Sequence, residues 1–517
     1  MTGRSRLATS SIGGIDIASG RFSATGDPFC HPTRRRNEMP STASTADPRR
    51  RSPRSISGHS PRSPRTLSRR SLLGAAGLGG GALALPGCFS TGETTANQGS
   101  TKPGGKVDLT FWLPGGEGPY LDAHRDLAKK YHKLHSNVSV AVSGHTGEQN
   151  FLEVLLARIA SGNPPSATLL WDTPVSLGIR GSLVELDSYM ESSKNSQLAN
   201  WPEAVLASCQ HDGKTYGLPA TAGSYAMFFN QDWFEQKGIP VERESFPKTW
   251  DDLRALSKEF TRWNGDNIES AGFLPPLDPY TLPIWSALNG GGLFDADRGT
   301  YTIDAEQNLE MMEYFVDWID EEYKGDLRKV DKSFQAALGE QPPIFQEQRL
   351  AMRFEGTWLM GEIYSTEPKF ENWEVASAPV GPSGSETTSG YWPNWVAVPT
   401  ASNNPDEAFK YLDYLAFEGV QELFAEFPDL PANTKIADTI VPSKLVERRG
   451  DAFAEDATAF FRQQLEIATP MWNSPVHTFA IDQVARALER ISTKTATPKD
   501  ALAEAQKACQ AELDSVL

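Results

Sequence analysis

The chain has 517 residues, of which 39% are hydrophobic, 22% charged and 10% aromatic, with 43 glycines and 36 prolines. That composition excludes a disordered or collagen-like chain, and at roughly 100–200 residues per domain it points to more than one folding unit. The formal net charge of −17 hides a split: residues 1–87 hold 14 arginines, no lysine and 4 acids, which leaves 35 basic and 62 acidic residues, a net of −27, on the remaining 430. A body that acidic repels phosphate backbones, so nucleic acid is not expected as a partner, and charge alone would not settle it on an anionic membrane.

Residues 40–70 are mostly Ser, Pro, Arg and Thr, a composition that cannot bury a core and reads as disordered. Next come Ser68-Arg69-Arg70-Ser71-Leu72-Leu73, a weakly apolar run to Leu85, and Leu85-Pro86-Gly87-Cys88. This order resembles a twin-arginine export signal closing on a lipoprotein cleavage box, with Cys88 as the lipidated first residue of the mature chain. The apolar run, about 15 residues, falls short of the roughly 20 that span a bilayer. Met39 is an alternative start to Met1, given the long leader. Residues 88–105 read as a flexible tether. Cys209 and Cys509 remain in the body; they could pair in an oxidising compartment, but two free, buried thiols are the default expectation.

From Val107 the pattern alternates between strand and helix. The spacing predicts strands at 107–113, 138–142 and 167–171, and helices at 119–135 and 148–161. This βαβαβ start argues for a mostly parallel sheet covered by helices. Further strands are expected at 225–230, 350–354, 373–378 and 395–398. Helices are expected at 250–263 (capped by Thr249), 305–321, after Gly356, 406–417, 452–467, 475–491 and 498–517. No internal repeat and no second long apolar run comes after the leader.

Catalytic signatures are sparse. There is no Gly-x-Ser-x-Gly, no His-Glu-x-x-His and no phosphate-cradling Gly-rich loop. His132 and His135, with His124 two turns away, have metal-like spacing, but one helix face seldom supplies a whole ligand set, so a solvated pair is the expectation. Glu117 and Asp172 could be imagined as a glycosidase dyad, though with 62 acids some pairs meet by chance. Neither enzyme activity, nor a cofactor, nor a metal is expected.

Five short segments then stand together. Gly213-Lys214-Thr215-Tyr216-Gly217-Leu218-Pro219, Phe229-Asn230-Gln231-Asp232-Trp233-Phe234, Pro247-Lys248-Thr249-Trp250-Asp251-Asp252-Leu253, Ala351-Met352 with Gly356-Thr357-Trp358, and Ala378-Pro379-Val380-Gly381-Pro382 fall in one order. In that order, behind a lipoprotein-like signal, the chain resembles the solute-binding lipoproteins of ABC sugar importers, the large family that includes maltose-binding protein. The resemblance covers nearly all of residues 106–517. It implies an α/β, two-lobed periplasmic-binding-protein-like fold with a hinge and an interlobe cleft, the group that exemplifies hinge closure around ligand. The two crossover-like segments suggest one lobe from 106–221 and 380–450 and another from 222–379 and 451–517.

The resemblance also implies a function: an exported monomer, lipid-anchored to the outer face of the cell membrane, that captures a carbohydrate and delivers it to an ABC permease. The ligand is expected to be an oligosaccharide. Loops at the C-terminal ends of strands face such clefts, and here they carry aromatics, which suit the flat C–H faces of sugars. Trp171 and Trp358 match family positions that stack on sugar. Trp112, Trp472, Tyr225, Tyr391 and Trp392 are further candidates, with Glu117 and Asp172 as the polar ones; for each aromatic the competing reading is core packing. Where maltodextrin binders carry an acid–Lys pair in the first loop, this chain has Gly116-Glu117, so maltose itself is not implied. The alternatives are the same fold binding a polyamine, a phosphorylated polyol or a metal, and an exported glycoside hydrolase.

Overall fold

A computed structural model describes residues 105–517, apart from 147–150, 297, 339–342, 366–370, 437–438 and 470–471. The leader, Cys88 and the tether to residue 104 lie outside the described residues.

The first half of the fold starts from short apolar strands separated by helices with one greasy stripe. Strand β1 (Val107–Pro114) is succeeded by helix α1 (Pro119–Leu134), strand β2 (Val138–His145), helix α2 (Phe151–Ala160) and strand β3 (Ala167–Leu170). Pro119 sits in the first turn of α1, where its missing N–H costs nothing. Leu121, Leu127, Ala128 and Tyr131 of α1 face inward. Strands β1, β2 and β3 pair in parallel.

The chain then enters β4 (Leu218–Asn230), thirteen residues that are buried from end to end. Its first part pairs with β7 (Tyr391–Ala397); its second part pairs with β5 (Met352–Gly356) and with β6 (Trp373–Ala376). All of these pairings are antiparallel, as is that of β7 with β3. The seven strands form one sheet in the order β5-β4-β7-β3-β1-β2, with β6 joined to β4. The expectation of a mostly parallel sheet therefore holds only for its opening strands. The correction has a simple cause: β5, β6 and β7 run back against β4 instead of arriving by the helical crossovers that parallel neighbours require.

Two hydrophobic cores sit on this sheet. The first gathers β1–β3, Leu218–Ala222 of β4, β7 and the helix at Pro405–Tyr414. The second gathers Tyr225–Phe229 of β4, residues from 234 to 378, and the helices at Asp451–Glu466, His477–Ser492 and Pro498–Val516. Strand β4 thus belongs to both, changing core across Gly223 and Ser224. A further passage occurs at residues 430–432, which lie along β4: Ala222 N donates to Leu430 O at 2.8 Å and Ala432 N donates to Ala220 O at 3.1 Å. Phe424, Leu430 and Leu445 pack in the second core, although the stretch 380–450 was expected in the first lobe. The chain changes sides inside that stretch.

Local chemistry fixes several element ends. Thr249 caps the helix at Trp250–Phe260, its hydroxyl accepting from Asp252 N at 3.2 Å, and Thr497 caps Pro498–Val516 through Asp500 N at 3.1 Å. The Trp250 helix stops three residues short of the expected Trp263. Residues 262–264 instead pair with 267–270 as a small hairpin, and the Trp263 indole N–H donates to Glu322 O at 3.1 Å. Cys209 and Cys509 are free and buried, one in each core. Among the described residues no helix is long and apolar enough to cross a membrane.

Candidate functional site

A cavity of about 930 Å³ opens between residues of the two cores. Part of its lining comes from the C-terminal ends of strands and the residues just beyond them: Pro114 ends β1, Trp171 and Asp172 come directly after β3, and Trp358 comes shortly after β5. Eight of its lining residues are aromatic. Trp171, with Tyr120 and Leu152, packs on the first core; Trp358 and Tyr225 belong to the second; Trp392 touches both.

The rings are held from behind. The Trp392 indole N–H donates to Trp171 O at 2.7 Å, tying a crossover strand to the loop after β3. Tyr225 stands edge-on to Trp358 at 5.1 Å and stacks on Phe354 at 5.4 Å. Tyr120 meets Phe427 edge-on at 5.3 Å, and Tyr280 meets Trp392 in the same way at 5.5 Å. Gly356 has a specific role here. A Cβ at that position would collide with the six-membered ring of Trp358, so glycine lets the indole fold back over the end of β5. The turn into the next helix, Trp358–Ser365, does not itself require glycine's left-handed freedom, since Gly356 is not among the positive-φ residues.

Three acids line the cavity, and among the described lining residues there is no Lys, Arg or His. Asp429 sits where β4, β7 and the passage at residues 430–432 come together. It accepts from Thr221 Oγ1 and Asn394 Nδ2 at 2.6 Å each, and from Thr357 Oγ1 at 3.4 Å. Burial pushes its carboxyl up to about 7, against which these three donors pull. Burial, with the charge of Asp482 adding to it, pushes Asp172 up to about 6. Glu362 is raised by burial, while Arg353 pulls it back.

Of the residues expected in the cleft, Trp171, Asp172, Tyr225, Trp358 and Trp392 line this cavity; Trp112, Glu117, Tyr391 and Trp472 do not. Trp112 is buried behind the wall, against Phe151 at 4.9 Å and under the Arg158 guanidinium at 4.9 Å. Glu117 points to solvent, where Arg125 grips it with two bonds of 2.6 and 2.8 Å and holds its carboxyl below the usual range. Tyr391 is buried and donates its hydroxyl to Ala204 O at 2.6 Å. Trp472 is core, edge-on to Tyr301 and His477. The three histidines of α1 do not converge either: His124 is buried beside Phe111 and Tyr120, and His132 Nδ1 lies 2.6 Å from Val138 O.

The sequence reading passed over Tyr120, Tyr280, Asn394, Phe427 and Asp429, all of which line the cavity. Tyr120 is indistinguishable from the core stripe of α1 by spacing alone. Asp429 carried a signal, an acid between two prolines in Phe427-Pro428-Asp429-Leu430-Pro431, which marks a rigid loop presenting one charge.

Comparison with known proteins adds to this geometry. Binding proteins of Brucella abortus and Brucella suis are 28% identical over 239 residues, 46% of this chain. The chain spans about half, 54%, of the length of those relatives. A maltooligosaccharide ABC transporter solute-binding lipoprotein of Streptococcus pneumoniae is 25% identical over 382 residues, covering 71% of this chain and 82% of the relative. Among solved structures, an ABC substrate-binding protein of Listeria monocytogenes in complex with cycloalternan superposes with a TM-score of 0.65 at 20% identity, over 78% of this chain and 98% of the other. That likeness is one of fold. The sequence family described as bacterial extracellular solute-binding protein matches residues 119–422, more than half of the chain. A sheet shared by two cores, a cleft between them and this match together place the chain in the bacterial extracellular solute-binding protein family.

Proposed function

We propose that this protein captures an oligosaccharide between its two cores and hands it to an ABC permease. The observation that carries the reading is the cavity itself: aromatic faces from both cores, acids and an amide among them, and no cation among the described lining residues. Aromatic faces suit the C–H faces of pyranose rings, and carboxylates and Asn394 suit their hydroxyl rims. The relatives whose names specify a sugar support the same class. A phosphorylated ligand would lack a countercharge here.

The two cores act as lobes, hinged where β4, β7 and residues 430–432 pass between them. No catalysis enters this reading; the acids serve as hydrogen-bond acceptors. Isothermal titration against mono- and oligosaccharides tests it. Saturable binding with the sugar recovered intact is expected; turnover of the sugar, or no saturable binding across the panel, overturns it. The export signal and Cys88 further suggest a lipid anchor holding the protein beside its permease. Replacing Cys88 by Ser should then release protein from the membrane fraction or block its processing, and unchanged membrane attachment in that variant would refute the anchor.

A further inference from the structure

The three acids of the cavity differ in what surrounds them. Asp429 is satisfied by three neutral donors, and Glu362 lies within the field of Arg353. Asp172 has neither: among the described residues no hydrogen-bond donor and no cation pairs with its carboxylate. Its electrostatic neighbour is another acid, Asp482. Asp172, Asp278 and Asp482 all bear on the Tyr280 hydroxyl. Of these, Asp278 is engaged by the backbone and side chain of Thr281 and by Tyr280 N, while Asp482 is exposed and makes no ion pair among the described residues. This end of the cavity therefore sets one unpaired carboxylate, Asp172, among three aromatic side chains, Trp171, Tyr280 and Trp392, with Asp278 and Asp482 acting from behind the lining.

Like charges crowded at the wall of an apolar cavity are costly unless something positive arrives. A neutral hydroxyl can donate to Asp172 but cannot offset the repulsion from Asp482. A protonated amine does both, and aromatic faces add cation–π attraction. The strongly acidic body draws cations toward the cleft as well. Building on the carbohydrate reading, we infer that the end of the cleft formed by Asp172, Trp171, Tyr280 and Trp392 is an ammonium subsite, and that the ligand is an amino-sugar oligosaccharide bearing at least one free amine.

The test titrates the purified mature chain with deacetylated glucosamine oligomers, the same oligomers N-acetylated, and neutral glucose or mannose oligomers. The free-amine oligomers are expected to bind at least about tenfold more tightly than their acetylated counterparts. Asp172→Asn should abolish that preference, and Asp482→Asn, on an exposed position, should reduce it. Ligand-free melting of both variants controls for folding, since removing a repelling charge should not destabilise the chain. Equal or weaker binding of the amine form, or a preference that survives Asp172→Asn, overturns the subsite and leaves the carbohydrate reading standing. Binding of spermidine with no binding of any sugar overturns the amino-sugar ligand and the carbohydrate reading together.

Discussion

Trp171 and Trp358 are where residue chemistry and function meet most directly. They reach the cavity from opposite cores, so under the proposed function a sugar stacked on both would couple binding to closure. Truncating a well-packed aromatic at a binding site commonly costs at least ~2 kcal/mol, and each ~1.4 kcal/mol is tenfold in affinity. Trp171→Ala and Trp358→Ala should each weaken the cognate sugar by more than about tenfold in titration. Ligand-free melting should change by less than a core truncation would cost, roughly 3–5 kcal/mol. Asp429 gives a second expectation. Its carboxyl is raised from 3.8 to about 7 in the folded state, so the native chain holds that proton more tightly than the unfolded one. The stability it contributes is complete below about pH 4 and is lost, at about 1.4 kcal/mol per pH unit, as pH rises through about 7. The melting temperature of the ligand-free protein should therefore fall between about pH 4 and pH 7 more steeply than that of Asp429→Asn; parallel curves would show that this carboxyl is not the titrating group. Trp171 and Trp358 were legible in the sequence because each comes after an apolar strand. Trp112 also ends an apolar strand and is core, because a strand end states where a side chain begins and not which way the neighbouring helix lets it turn; Trp472, which comes after Thr469-Pro470, is core as well.

At the level of elements, the crossing is a matter of close approach. Gly223 lies where β4 changes core, and a Cβ there would run into Asp429 Oδ1, would lie 2.8 Å from Thr357 Oγ1 and would lie 3.0 Å from the Trp358 ring. Gly223→Ala is thus an overpacking change of roughly 1–3 kcal/mol. It should lower the melting temperature and weaken sugar binding together, whereas Gly292→Ala, whose Cβ meets nothing within 4 Å, should leave binding unchanged. Thermal and calorimetric titration of the pair separates the two. Helix and strand positions were well expressed by periodicity, from α1 to the final helix at Pro498–Val516. What periodicity could not express was strand direction. Leu350–Phe354, Trp373–Ala378 and Trp395–Val398 read as strands whichever way they point, and the parallel expectation rests on the βαβαβ start alone. The length of β4 was also hidden: Tyr225–Asn230 was recognised, while Leu218–Ser224 with its Pro219 and Gly223 looks like loop.

At the scale of the whole molecule, β4, β7 and residues 430–432 run side by side where the chain passes between the cores. Ligand that bridges the lobes should contract the protein, so small-angle scattering should record a smaller radius of gyration on adding the cognate sugar. Trp358→Ala, which lacks one of the two faces such a sugar would join, should contract less even at saturating sugar; an unchanged radius in the wild type would mean that the cleft is already in its bound form without ligand.

Each core is assembled from pieces far apart in the chain. Residues near 107 are completed only by strand and helix near 391–416, and residues near 225 by helices that run to Leu513. A nascent chain emerging from the ribosome therefore carries β1–β3 and much of β4 long before their partners exist, with the wholly buried β4 as an open edge. Such non-local topologies fold slowly and expose aggregation-prone intermediates. Truncation at the last helix, which brings the fully buried Cys509 and Leu513, should cost soluble yield out of proportion to its 19 residues. Synthesis, not the finished fold, is then the stage at which this protein most depends on a chaperone.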